Sequence, residues 1–254
     1  MRGARPITVA GFLLLYVPLV VLVVGSFRAP VIEGGGWTLA WYGKVFANGA
    51  ILDALSISVC VGFWSMLIST LLGTAAALAL VRTQFPGRRL LDALTHVPLI
   101  MPEIVLGLAL LIWFVLLRIA LGPFSIILAH VTFSMSYVII TVKARLRGFD
   151  RSLEEAARDL GASSWQTFRR VTFPLIRPGV LSGALMAFTL SFDDFLITFF
   201  TAGVGSDTLP LKIYSMIKFG VSPEINALST LMLGTTIVLV MAVFRRPGQG
   251  SESA

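Results

Sequence analysis

Six long apolar runs constrain the fold of this chain more than any other feature. Hydrophobic residues make up 56% of the sequence and charged residues 13%, with a mean hydropathy of +0.89. A helix needs about 20 apolar residues to cross the hydrocarbon core of a bilayer. We therefore predict an all-α integral membrane protein with six transmembrane helices in lipid, at about residues 7–27, 54–81, 93–117, 119–142, 178–204 and 225–244. Residues 1–247 form one transmembrane domain and residues 248–254 a short polar tail.

The distribution of cations predicts the orientation of the chain. If the N-terminus lies in the cytoplasm, the inner segments hold 15 of the 20 Lys and Arg residues, namely Arg2, Arg5, Arg82, Arg88, Arg89, Lys143, Arg145, Arg147, Arg151, Arg158, Arg169, Arg170, Arg177, Arg245 and Arg246. Cytoplasmic loops carry such an excess in membrane proteins. We expect both termini and residues 143–177 to be cytoplasmic, with residues 28–50 and 205–222 outside. Because the cations are dispersed over short loops, the net charge of +7 does not indicate nucleic-acid binding.

The first run also resembles a signal peptide, because cations precede it. Its apolar stretch is too long for a typical signal peptide and no small-x-small cleavage site follows, so we predict a retained span.

A polar insert between the fourth and fifth runs has the sequence pattern of two short helices. Ser152 and Glu155 form an S-x-x-E capping box that predicts a helix starting at Leu153. Gly161 fits the left-handed position that ends a helix. Residues at i, i+3, i+4 and i+7 of this helix form a narrow apolar stripe: Leu153, Ala156, Ala157 and Leu160.

The second helix of the insert has its own start and stop signals. Ser163 and Gln166 form an S-x-x-Q box, and the helix is expected to end before Pro174. A cytoplasmic helix-turn-helix tethered between spans 4 and 5 indicates a docking element.

The spacing of this insert resembles the EAA loop of ABC-importer permeases. The matching residues are Glu155-Ala156-Ala157, Gly161 and Val171-x-Phe173-Pro174, with Val171 and Phe173 in place of the commoner Ile and Leu. The resemblance implies a bacterial inner-membrane subunit whose loop docks on an ATPase. It implies ATPase coupling through Glu155, Ala156, Ala157 and Gly161. The expected partners are a second permease subunit, two ATPase subunits and an extracytoplasmic binding protein.

The sequence lacks the residues that ATP hydrolysis or metal binding would need. No G-x-x-x-x-G-K-[ST] motif occurs, so we expect no catalytic activity and no cofactor on this chain, with ATP and Mg on the partner ATPases. His96 and His130 lack metal-ligand spacing and are interpreted as helix-packing or interfacial residues.

Three carboxylates interrupt the apolar runs. An ionisable group near the bilayer centre costs about 2.5–3.5 kcal/mol on insertion scales, so each is a candidate for the substrate pathway. Glu103 follows Pro98 and Pro102, which should break or kink the third span. Asp194 shares a polar helical stripe with Ser191, Thr198 and Thr201 and is favoured over its neighbour Asp193. The alternative is that these acids cap broken half-helices or pair with a basic side chain.

Intramembrane acids without intramembrane Lys or Arg suggest a cationic cargo, and the phenylalanines around them suit an aliphatic polycation. Residues 191–195 and 209–227 resemble the spermidine/putrescine importer permeases, and the similarity implies a polyamine cargo. Another small solute is the alternative within the ABC family. A secondary transporter or channel with Asp194 as an ion relay would not need a coupling helix, and a non-transporting scaffold would leave the buried acids unexplained.

Overall fold

The computed structural model describes residues 4–29, 35–148, 150–220 and 222–244, and the polar tail lies outside them. These residues form helices and one isolated bridge between Arg28 and Trp37, with no strand among them. The helices are α1 (Ala4–Ser26), α2 (Ala40–Ala47), α3 (Gly49–Arg82), α4 (Arg88–Leu94), α5 (Val97–Ile100), α6 (Glu103–Leu116), α7 (Pro123–Arg147), α8 (Ser152–Asp159), α9 (Ser164–Thr167), α10 (Phe173–Asp193), α11 (Leu196–Thr201), α12 (Leu209–Lys218) and α13 (Pro223–Phe244). A π-helical turn (Phe168–Thr172) joins α9 to α10.

Several helices are long and apolar enough to cross a membrane. The described residues contain four such helices, and five if one bent pair is counted as a single span. The all-α membrane class predicted from the sequence is confirmed, whereas the number of six spans stays a prediction.

Helices α3, α7 and α10 pack together at the centre of the molecule. Small residues on the buried face of α3 allow a close approach, and a Cβ added at Gly73 would lie 2.8 Å from the Cβ of Val138 on α7. Around this contact the buried apolar side chains form one cluster: Ala77, Leu80, Val138, Ile139, Val142, Leu146, Ile176 and Ala187. Lipid does not drive apolar helices together, so van der Waals contact at such small residues holds them.

The third apolar run is broken, as its prolines predict. The helical stretches 88–100 and 103–116 meet at 112°. Pro102 restricts the preceding residue, and Met101 has extended backbone with φ −68° and ψ 136°. Glu103 therefore lies in the first turn of α6, next to a bend in the chain.

The fifth apolar run is also broken, which differs from the single span predicted for residues 178–204. Helix α10 already begins at Phe173 and ends at Asp193, and α11 begins at Leu196. Asp194 has extended backbone with φ −66° and ψ 129°. The fourth run is displaced as well, because its helix runs from Pro123 to Arg147 rather than over residues 119–142.

Two details of the polar insert correct the sequence analysis. The capping box of Ser152 and Glu155 is wrong: helix α8 begins at Ser152, whose backbone N–H donates to Asp150 Oδ1 at 2.9 Å. The predicted stop before Pro174 is also wrong. The backbone stays helical from Ser164 through the π turn into α10. The π turn carries the helix past Pro174: the Phe173 N–H donates to the Phe168 carbonyl oxygen five residues back, and Pro174, which has no N–H to donate, follows directly.

Two other features of the insert match the prediction. Gly161 has a φ of +83°, the left-handed conformation that ends α8. The box of Ser163 and Gln166 is formed by reciprocal hydrogen bonds of 2.8 and 3.3 Å.

Candidate functional site

The three candidate acids lie around one cavity. Glu103, Asp193 and Asp194 line a space of about 290 Å³, although Glu103 is 90 and 91 residues from the two aspartates in the chain. The two helix breaks bring them together, because α6 and α11, which follow the breaks, pack against each other. Aromatic side chains form part of the wall, namely Phe133, Tyr137 and Phe195. The cavity therefore offers both negative charge and apolar surface.

The Asp194 carboxylate is engaged by protein groups. Its oxygens accept hydrogen bonds from the backbone N–H groups of Ile197 at 3.4 Å and Thr198 at 2.7 Å, in the first turn of α11. The Thr198 hydroxyl donates at 2.8 Å and His130 Nε2 lies at 3.2 Å. The side chain is only 6% exposed. These contacts match the capping and pairing alternative left open by the sequence.

His130 is the residue at this site that sequence analysis did not assign to it. Its ring is fully buried, with Nδ1 2.6 Å from Ser191 Oγ and Nε2 3.0 Å from Thr198 Oγ1. An ionised carboxylate only accepts hydrogen bonds, so a hydrogen bond between Nε2 and an ionised Asp194 requires the hydrogen on Nε2. Three members of the predicted polar stripe thus meet one imidazole. The signal in the sequence was a lone ionisable residue in an apolar run, which needs a partner inside a membrane.

Asp193 is held less tightly and remains more available to the cavity. Both of its oxygens accept from the Thr236 hydroxyl on α13, at 2.9 and 3.0 Å. Since an ionised carboxylate has about four acceptor positions, this contact leaves capacity for a second partner. Glu103 is exposed at the start of α6, also along the cavity wall. The structure therefore separates the two adjacent aspartates into different environments.

The predicted coupling residues lie at the surface of the polar insert. Leu153 is 50% exposed and Leu160 is 89% exposed, and Glu155 and Ala156 are exposed beside them. Ala157 is half-buried, and Gly161 follows in the turn. An apolar stripe at the surface of a polar helix is typical of a face that another protein covers.

The opposite face of α8 is attached to the helix bundle. Glu154 is buried, forms an ion pair with Arg82 at the end of α3, and accepts a hydrogen bond from the Thr172 hydroxyl. Arg151 donates from Nη2 to the carbonyl oxygen of Val81 at 3.0 Å. No local pattern in the sequence marks Glu154, because its neighbour Glu155 carries the EAA spacing.

Comparison with known proteins identifies the family. Residues 69–246 match the model of the "Binding-protein-dependent transport system inner membrane component". The chain is 41% identical over 230 residues to the spermidine/putrescine transport system permease protein PotC of Escherichia coli (strain K12), covering 90% of this chain and 87% of the relative. It is 42% identical over 237 residues to the putrescine transport system permease protein PotI of the same strain, covering 90% and 84%.

Solved structures confirm the fold. A bacterial ABC transporter involved in import of the acidic polysaccharide alginate contains a chain with a TM-score of 0.75 and 16% identity, covering 96% of this chain and 95% of that one. An amino acid ABC transporter contains another, with a TM-score of 0.63, 16% identity and coverage of 82% and 97%. The resemblance predicted from residues 155–174 is thereby confirmed, and this multi-pass chain belongs to the family of binding-protein-dependent transport system inner membrane components.

Proposed function

We propose that this chain is one permease subunit of an ATP-driven bacterial importer of polyamines such as putrescine and spermidine. The observation that supports the cargo most is the 41–42% identity to polyamine permeases over 90% of the chain. A cavity that carries three carboxylates and aromatic walls agrees with it, because ammonium groups bind acids and aromatic faces while methylenes need apolar contact. A second permease, two ATPase subunits and an extracytoplasmic binding protein complete the proposed complex.

We further propose six spans with both termini in the cytoplasm. Six segments supply them, namely helix α1, helix α3, the bent stretch 88–116, helix α7, the broken stretch 178–201 and helix α13. The excess of cations in segments on one side supports this orientation. Four of the proposed spans precede residues 143–177, so these residues lie on the same side as the N-terminus. This is the cytoplasmic side, where an ATPase can reach α8.

The environments of the acids suggest how cargo passes. We propose that Asp193 and Glu103 meet the ammonium groups, since both open to the cavity and Asp193 keeps free acceptor capacity. Asp194 lines the same cavity, but its carboxylate oxygens already form hydrogen bonds with α11 and His130. Its proposed part in the pathway is to fix the helix break that turns Asp193 toward the cargo.

The surface of the insert suggests how ATP hydrolysis acts on the pathway. The proposed docking face consists of Glu155, Ala156, Ala157 and Gly161. Its small side chains allow the ATPase to approach α8 closely. Closure of the ATPase pair on ATP would move α8, and the spans would shift between outward-open and inward-open states.

The test is transport by the purified complex. The chain would be tagged, its co-purifying subunits identified by mass spectrometry, and the complex reconstituted in proteoliposomes with the binding protein. We expect ATP-dependent uptake of radiolabelled putrescine or spermidine, with uncharged sugars as control solutes. If the complex took up an uncharged sugar but neither putrescine nor spermidine, the proposed cargo would be contradicted. Stable purification without any ATPase subunit would contradict the importer itself.

A further inference from the structure

Glu154 has an unusual position for a carboxylate on a polar helix. It lies one residue before the EAA motif, yet it is 4% exposed, whereas Glu155 is exposed. Its carboxylate contacts Arg82, the last residue of α3, and the hydroxyl of Thr172, just before α10. One side chain on the proposed docking helix therefore connects to two helices of the central bundle.

The charges around Glu154 make this connection sensitive to its loss. Arg151 and Arg158 on or beside α8 both act electrostatically on the Arg82 guanidinium, which is 20% exposed. Glu154 supplies negative charge among these three cations. Removal of this carboxylate would therefore take away the contact between α8 and the end of α3.

The contact with Thr172 reaches a special point in the backbone. Thr172 is the last residue of the π-helical turn, which links the second helix of the insert to α10. A π turn has wider hydrogen bonding than an α-helix, and such turns occur frequently at functional sites. Because α10 ends at Asp193, one continuous helix connects Thr172 to the cavity.

We propose that Glu154 is a positioning residue that transmits movement of the docking helix to the substrate cavity, through Arg82 to α3 and through Thr172 to α10. This rests on the proposed function, in which the exposed face of α8 contacts the ATPase. The two faces of α8 then have separate tasks: the outer face receives the movement and Glu154 on the inner face passes it on.

The experiment compares Glu154→Gln with Asp207→Asn, which removes an exposed carboxylate from the segment between α11 and α12, away from α8. ATP hydrolysis and polyamine uptake are measured in proteoliposomes and normalised to assembled complex. We expect Glu154→Gln to lower uptake per ATP hydrolysed by about tenfold, which corresponds to about 1.4 kcal/mol of coupling. Asp207→Asn should leave the ratio unchanged. The exchanged pair Glu154→Arg with Arg82→Glu restores opposite charges and should recover at least part of the ratio.

A second measurement does not depend on cargo identity. In a Cys60→Ser background, Thr189→Cys places a thiol on the cavity wall, and its modification rate is followed with and without ATP and vanadate. We expect ATP and vanadate to change the rate of thiol modification at Thr189→Cys in the parent but not in Glu154→Gln.

Two outcomes would overturn the proposal. One is a normal transport-to-ATP ratio together with a normal trapping response in Glu154→Gln. The other is a reduced amount of complex with normal coupling in what assembles, which assigns Glu154 to folding alone. If the parent complex hydrolyses ATP and responds at Thr189→Cys but takes up no polyamine, the proposed cargo fails while the role of Glu154 is still decided by the thiol measurement.

Discussion

Substitution of the two adjacent aspartates gives the sharpest test of the cavity. In Asp193→Asn the amide oxygen can still accept from the Thr236 hydroxyl, which now lies 2.9 and 3.0 Å from the two carboxylate oxygens. The change therefore removes the charge that faces the cavity and little else. A hydrogen bond to a charged group contributes about 1.5–3 kcal/mol, so transport efficiency should fall about 10–100-fold at 1.4 kcal/mol per tenfold.

Asp194→Asn is the matched control and should fail differently. Asp194 Oδ1 accepts from Ile197 and Oδ2 accepts from Thr198 and His130. An Asn has one acceptor oxygen in place of two, so its amide N–H₂ opposes a backbone N–H in either orientation. An unsatisfied buried donor costs about 1–3 kcal/mol, and we expect less assembled complex with a smaller loss of transport per complex. The sequence favoured Asp194 as the cargo contact, and the geometry leads us to propose the reverse order.

The assay is uptake of radiolabelled putrescine and spermidine into proteoliposomes, divided by the amount of assembled complex. ATP hydrolysis by each variant shows whether the ATPases remain docked. Parental transport by Asp193→Asn, together with normal assembly and lost transport of Asp194→Asn, would refute this division of roles.

Four other predictions test the insert, the packing and the orientation. Gly161→Val places a β-branched residue at φ +83°, and we expect ATP hydrolysis to continue while uptake per ATP falls. Gly73→Ala puts a Cβ 2.8 Å from Val138 and should destabilise the protein by about 1–3 kcal/mol in thermal unfolding, whereas Gly234→Ala meets no atom within 4 Å and should not. Ser164→Cys in a Cys60→Ser background should resist membrane-impermeant thiol reagents in intact cells, and labelling there would contradict the orientation. The hydrogen bond from the Ser152 backbone N–H lowers the pKa of Asp150. The stabilisation that the Asp150 carboxylate gives to the start of α8 is therefore present above the pKa of Asp150 in the unfolded chain and is lost as pH falls through its pKa in the folded protein. Hydrogen exchange of the first α8 amides should show this loss of protection in the parent and not in Asp150→Asn.

Much of the architecture follows from local sequence. Uninterrupted apolar runs predict membrane helices, because a bilayer offers the backbone no hydrogen-bond partners. The bend beside Glu103 follows from Pro102, which constrains its neighbour Met101 directly. Gly161 and the box of Ser163 and Gln166 also involve only residues a few positions apart. The spacing of the EAA loop indicated the family for the same reason, since its signal lies within twenty consecutive residues.

Two helix boundaries were predicted wrongly from the sequence, at Ser152 and at Pro174. Both depend on which neighbouring groups form hydrogen bonds with the backbone. Asp150 and Ser152 are both good capping residues, and the backbone selected the Asp150 carboxylate. A proline commonly ends a helix, but here the π turn of Phe168–Thr172 precedes Pro174 and the helical path continues through it.

Only the tertiary structure decided which acid is available. Asp193 and Asp194 are identical and adjacent, so their difference arises from where the helix breaks and from what packs beside it. His130 comes from α7 and Thr236 from α13, 64 and 43 residues away from the acids that they contact. Glu154 likewise forms an ion pair with Arg82, which is far away in the chain. Such pairings depend on how the helices pack in space, and no local pattern in a single sequence carries that information.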